Sequence, residues 1–66
     1  MSEVFNNIEK LRIERGITQE QIADVLSISR ATYINIKNDK RDLTISELEK
    51  LSAYFDIPVV ELFEQP

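Results

Sequence analysis

The 66-residue sequence has no cysteine, histidine or tryptophan, and it carries one glycine and two prolines. Without cysteine, no disulfide can staple so short a chain, and thiol chemistry has no nucleophile. Without histidine, the usual zinc ligand and the base of a hydrolytic triad are both missing. A single glycine, Gly16, cannot build a glycine-rich phosphate loop. Glu20 and Asp24 share a helical face, but acids at that spacing are ordinarily surface charge. These absences argue against an enzyme, and no metal or other cofactor is expected. No apolar run approaches the roughly 18 residues a membrane span needs. The opening "MSEVFNNIEK" contains acidic Glu3 and no long apolar core, unlike a signal peptide. A soluble, cytoplasmic protein without membrane contact is the expectation.

One domain over residues 1–66 is expected. A chain of this size buries only about 60% of the surface its unfolded form exposes. Packed helices, a partner chain, or both must therefore hold it. The net charge is -4, yet it is unevenly distributed. Between residues 28 and 41, Arg30, Lys37, Lys40 and Arg41 face a single acid, Asp39. From Ile45 onward, Glu47, Glu49, Asp56, Glu61 and Glu64 face Lys50 alone. Screening in physiological salt acts over about 8 Å, so a local basic face can attract an anion while the far side repels it.

The pattern predicts five short helices. Phe5, Ile8 and Leu11 recur at helical spacing, and Gly16 is a natural stop. Thr18 with Gln21 reads as a capping box, with Ile17 and Ile22 as its hydrophobic staple. The helix they start buries Ile22, Ala23 and Leu26 and ends near Ser27. Ile28, Ser29 and Tyr33 repeat the pattern for a third helix running from Arg30 to about Asn38. Asn38 and Asp39 tolerate left-handed backbone and can end it. Thr44 with Glu47, flanked by Leu43 and Leu48, caps a fourth helix that buries Ile45, Leu48, Leu51 and Phe55. Pro58 then breaks the chain before a last short helix carrying Val59, Leu62 and Phe63.

At 100° per residue, Ser29, Tyr33 and Ile36 fall on the third helix's inward side. Ala31, Ile34, Asn35 and Asn38 fall opposite, with Arg30 and Lys37 on one flank. The outward face combines amide, methyl and cationic groups and has no acid. Major-groove recognition uses such groups: Asn pairs with adenine, Arg with guanine, and an apolar side chain meets the thymine methyl. The same residues also suit a plain solvated face, or an Ile34 that packs on a neighbouring chain.

"ITQEQIADVLSISRATYINIKNDKR", with "LRIERGITQEQIA" before it and "LTISELEKLSAYFDIPVVELF" after it, resembles the helix-turn-helix domains of the lambda-repressor/Cro (Xre-like) family. The resemblance runs from Ile8 through Phe63. "RDLTISELE" is further similar to small restriction-modification controller proteins. The resemblance implies a compact five-helix, all-α domain, with its helix-turn-helix core at 18–38, that dimerises on double-stranded DNA. It implies base contacts from Arg30, Ala31, Ile34 and Asn35. It implies phosphate contacts from Thr18 and Gln19 before the turn, and from Asn38, Lys40 and Arg41 after the recognition helix. Lys37 adds positive charge toward the backbone. This chain departs from the family in having Ser27 where glycine is common, which predicts a strained turn. It also has Lys37 and Asp39 where Glu and Gly are common, and Leu43 where proline is common.

One recognition helix reads too few base pairs to be selective in a genome, so a homodimer on a palindromic operator is expected. The segment 57–64, through Val59, Leu62 and Phe63, is the candidate seam; the alternative is that these residues close the monomer's own core. Ile13 is a further exposed apolar candidate. Glu47, Glu49 and Glu61 suggest an acidic patch toward a protein partner such as polymerase. The rival reading is an antitoxin-like module that holds a toxin on its C-terminal apolar strip, although 66 residues leave little room for a separate toxin-binding extension.

Overall fold

The computed structural model describes residues 3–64. Residues 1, 2, 65 and 66, which the single-domain expectation also takes in, lie outside the described residues. Four α-helices follow one another: α1 (Glu3–Glu14), α2 (Gln19–Leu26), α3 (Arg30–Lys37) and α4 (Ile45–Phe55). A 3-10 turn at Val59–Leu62 stands where a fifth helix was expected. Pro58 lies directly before this turn in extended backbone (φ -62°, ψ 148°).

Helix starts follow the capping pattern. The Thr18 hydroxyl accepts from the Gln21 N–H at 3.0 Å, and the Gln21 side chain accepts from the Thr18 N–H at 2.7 Å. Thr44 and Glu47 do the same at 3.1 and 2.9 Å. Ser29 caps α3 by accepting from the Thr32 N–H at 3.0 Å. Helix ends also share one solution. Each α-helix closes with a left-handed residue (Gly16, Ser27, Asp39 and Asp56), at φ of 66°, 59°, 60° and 57°. In each case the next residue's N–H reaches five residues back, as in Ile28 to Ala23 at 3.0 Å and Lys40 to Asn35 at 2.9 Å. This double-bonded stop satisfies carbonyls that the helix end would leave unpaired.

The core is one cluster: Phe5, Ile8 and Leu11 from α1, Ile22, Ala23 and Leu26 from α2, Tyr33 and Ile36 from α3, Leu51 and Phe55 from α4, and Leu62 from the 3-10 turn. Asn7, buried on α1, donates to the Leu62 carbonyl at 2.7 Å and ties the first helix to the last turn. Ile45 departs from expectation at 76% exposure. Glu47, Leu51 and Phe55 recur every four residues and make the inward row of α4, while Ile45, at the helix's first position, falls outside that row. Among the described residues, no helix is long and apolar enough to cross a membrane.

Candidate nucleic-acid interface

The orientation of α3 is set by Tyr33, which is 0% exposed. Its ring lies 5.1 Å from that of Phe5, tilted by 44°. Its hydroxyl donates to Glu9 Oε2 at 2.6 Å. Glu9 in turn accepts from Arg12 Nε at 2.7 Å and Nη2 at 3.0 Å, and from Gln19 Nε2 at 3.3 Å. Arg12 Nη1 also donates to the Ile17 carbonyl at 2.7 Å, just before the cap of α2. Burial, with the hydrogen bond to Glu9, pushes the Tyr33 phenol far above its ordinary range, so it remains a protonated donor. Burial alone would raise the Glu9 pKa. The hydrogen bonds from Arg12 and Tyr33 outweigh that and hold its carboxyl below the ordinary carboxylate range.

With Tyr33 and Ile36 turned in, Arg30, Ala31, Asn35 and Asn38 are exposed, while Ile34 and Lys37 are half-buried. Arg30, Ala31, Ile34 and Asn35 therefore all reach the surface of α3. Ser29, expected on the inward side, is exposed, because a cap's side chain must turn back along the helix end to meet its N–H group. Thr18 is exposed at the start of α2, and Gln19 is half-buried beside Glu9. Between the starts of α2 and α3 lies an open cleft of about 550 Å³ lined by Arg12, Thr18, Gln19, Glu20 and Arg30. Lys40 is exposed in the loop after α3, next to left-handed Asp39.

Arg41 is placed differently from the other expected phosphate ligands. Its guanidinium donates to Glu47 at 2.7 and 3.0 Å and to the Asp42 carbonyl at 2.9 Å. Its first partner is therefore within the chain, and it braces the loop against α4. Glu47 is 6% exposed. The Arg41 hydrogen bond, followed by the backbone bond at Thr44, holds its carboxyl below the ordinary range despite the opposing effect of burial. The expected acidic patch of Glu47, Glu49 and Glu61 thus loses Glu47, whose carboxylate is enclosed by its partners.

The expected seam also divides. Leu62 is 0% exposed and belongs to the monomer's core, so it has no surface to offer a second copy. Phe63 is 52% exposed, Val60 is 54% exposed and Val59 is half-buried. The 3-10 geometry explains the split, because residues three apart eclipse one another. Val59 and Leu62 share the inner side, and Val60 and Phe63 share the outer one. Val60 was missed because the 3.6-residue period of an α-helix was assumed for this segment. Ile13, at 65%, is exposed as expected.

Glu9 and Arg12 were also missed. Their signal was present: Glu9 stands four residues after Phe5, and Arg12 four after Ile8, so each prolongs the apolar stripe of α1 with a charge. Among the described residues, no group of acids is placed to hold a metal ion.

A helix-turn-helix family model matches residues 8–62, which spans α2, the turn and α3 together with most of α1 and all of α4. The chain belongs to this lambda-repressor/Cro-like helix-turn-helix family. It is 39% identical over 59 residues to the control protein C.MunI of Mycoplasma sp, covering 88% of this chain and 80% of that one. It is 28% identical to the cryptic phage CTXphi transcriptional repressor RstR of Vibrio cholerae, covering 86% of this chain and 51% of the repressor. It is 29% identical to an uncharacterised HTH-type transcriptional regulator, MJ0272, of Methanocaldococcus jannaschii, covering 88% of each. The family's DNA-binding motif coincides with the two helices whose exposed faces are described above.

Proposed function

We propose that this family member is a sequence-specific regulator of transcription that binds double-stranded DNA as a homodimer, with α3 in the major groove of each half of a palindromic operator. The observation that carries this reading is the outward face of α3, where Arg30, Ala31 and Asn35 are exposed and no acid interrupts them. Arg30 and Asn35 supply the bidentate pairings with guanine and adenine, and Ala31 and the half-buried Ile34 supply apolar contact with thymine methyls. Thr18, Gln19, Lys37, Asn38 and Lys40 surround that face and contact phosphate, which fixes register and gives salt-sensitive affinity. Arg41 adds to this field from its seat on Glu47.

Size supports the dimer. The backbone extends 26 Å along its longest axis and carries one recognition helix, whereas successive major-groove half-sites lie about 34 Å apart. One copy presents one α3 to one half-site, and two side by side present a pair. Val60 and Phe63 form the centre of the seam, with 57–64 as its segment. Bound at a promoter, the dimer blocks polymerase or contacts it according to where the operator lies.

Selection of bound fragments from a random duplex pool tests the whole reading, and a two-fold symmetric consensus is the expected result. On that consensus, replacing Arg30 and Asn35 together with Ala lowers the preference over scrambled DNA, and Lys40→Ala weakens both duplexes alike. Equal losses from the two variants would remove Arg30 and Asn35 as base readers. Absence of salt-dependent DNA retention would favour the interaction module instead, for which exposed Val60 and Phe63 would be the toxin-binding strip.

A further inference from the structure

The Glu9 carboxylate touches both halves of the proposed DNA-facing surface. Its Oε2 accepts from Tyr33 on α3 at 2.6 Å, and its Oε1 accepts from Gln19 on α2 at 3.3 Å. Arg12 binds both oxygens and so neutralises the charge that would otherwise repel a nearby phosphate. A carboxylate can only accept hydrogen bonds, so the Gln19 side chain must present its nitrogen to Glu9. The second hydrogen on that nitrogen then points away at a fixed angle, because the amide is planar. Gln19 also lines the open cleft with Thr18 and Arg30, which is where a phosphate can reach the free N–H.

On the reading of α2 and α3 as a DNA-binding unit, we infer that Glu9 is its positioning residue: one carboxylate orients the phosphate-facing amide of Gln19 and the rotation of the recognition helix together. Glu9 itself touches no DNA. Its effect is preorganisation, since a side chain already fixed by a second hydrogen bond loses less freedom when it binds.

A double-mutant cycle tests this. Dissociation constants are measured on a short scrambled duplex at low salt for wild type, Glu9→Ala, Gln19→Ala and the double variant, each at a concentration of folded protein set by circular dichroism. Gln19→Ala weakens the wild-type complex about tenfold, the effect of one hydrogen bond to a charged group. In the Glu9→Ala background the same change costs less than about twofold, because the amide is no longer aimed. A residue that only stabilised the fold would leave the Gln19→Ala effect equal in both backgrounds, and that result overturns the inference while leaving DNA binding intact. If Glu9→Ala does not fold, Glu9→Asp replaces it in the cycle, since a carboxylate one methylene shorter cannot reach Gln19. Wild-type protein without salt-dependent affinity for the duplex overturns both this inference and the function on which it rests.

Discussion

Helix α3 and the loop that follows it are each braced, and each brace is a glutamate with an arginine. On one side Glu9 gathers Arg12, Gln19 and Tyr33 from three helices. On the other, Glu47 gathers Arg41 and the cap of its own helix at Thr44. The partners of Glu9 stand up to 24 residues away and those of Glu47 no more than six. The first brace therefore exists only once α1, α2 and α3 have packed, whereas the second can form as soon as α4 begins. The Tyr33 side therefore sets where the outward face of α3 points, and the Arg41 side sets how the loop leaves it.

The sharpest way to break this asymmetry is at Tyr33. Tyr33→Ala removes a fully buried ring from the core and costs about 3–5 kcal/mol. A chain of this length has roughly 3–10 kcal/mol in total. Urea titration followed by circular dichroism should find the variant's midpoint lowered by a large share of the wild-type value. Tyr33→Phe keeps the ring and loses only the bond to Glu9, so it should cost about 1.5 kcal/mol. A phenylalanine variant as unstable as the alanine one would mean that the polar brace, not the ring, holds α3.

The second brace should yield less. Glu47→Ala removes the side-chain acceptor at the Thr44 N–H as well as the arginine's partner, a cost of about 1–2 kcal/mol. Arg41→Ala leaves the capping box intact. The arginine side chain is 34% exposed, so solvent screens the pair and the loss should stay within about 1 kcal/mol. If the two variants lose the same amount, the ion pair outweighs the cap and the brace is electrostatic after all.

Acid tests both braces together. Glu9 and Glu47 have carboxyls held below their ordinary value of 4.5 in the folded protein. Their contribution is complete above the unfolded pKa and is lost as pH falls from about 4.5 through the lower folded values. Thermal midpoints should therefore decline below about pH 4.5, and Glu47→Gln should flatten the decline only in part, leaving the share that belongs to Glu9. Tyr33 has the opposite sign. Its phenol is raised above 10.0, so its contribution is present at neutral pH and lost as pH climbs beyond that value.

The two braces also show which parts of the fold could be read from the sequence. Thr44 with Glu47 was legible because a capping box is a local pattern, three residues apart. The inward turn of Tyr33 was legible because a staple follows a cap at fixed spacing. Arg41 was read as a phosphate ligand because its charge and its place after the recognition helix are local facts, while its pairing with Glu47 depends on how the loop folds back. Glu9 is legible only in part: Arg12 stands at helical spacing from it on α1, whereas Gln19 and Tyr33 lie on other helices and reach it only through tertiary packing. Ile45 and Val60 depart from expectation through period. Ile45 does not join the inward row of α4, and Val60 turns outward because the chain makes a 3-10 turn where an α-helix is expected. Leu62 takes the second of its two readings and closes the monomer's core.

The smallest effect separates the helix ends. All four α-helices stop on a left-handed residue, yet only Gly16 is a glycine. An added Cβ at Gly16 would meet nothing within 4 Å, so Gly16→Ala costs only the backbone penalty of about 1 kcal/mol. Asp39 and Asp56 tolerate this conformation through their short polar side chains, so glycine there should gain little. Ser27 lacks that tolerance and its position is exposed, so Ser27→Gly should stabilise the protein by up to about 1 kcal/mol. That corresponds to a rise of roughly 4–8 °C in thermal midpoint for a domain of this size. The strain lies in the turn between α2 and α3, which sets the angle of the recognition helix. If Ser27→Gly raises the midpoint and leaves DNA affinity unchanged, the two braces alone position that helix. If affinity shifts with it, the turn is a third element of the frame.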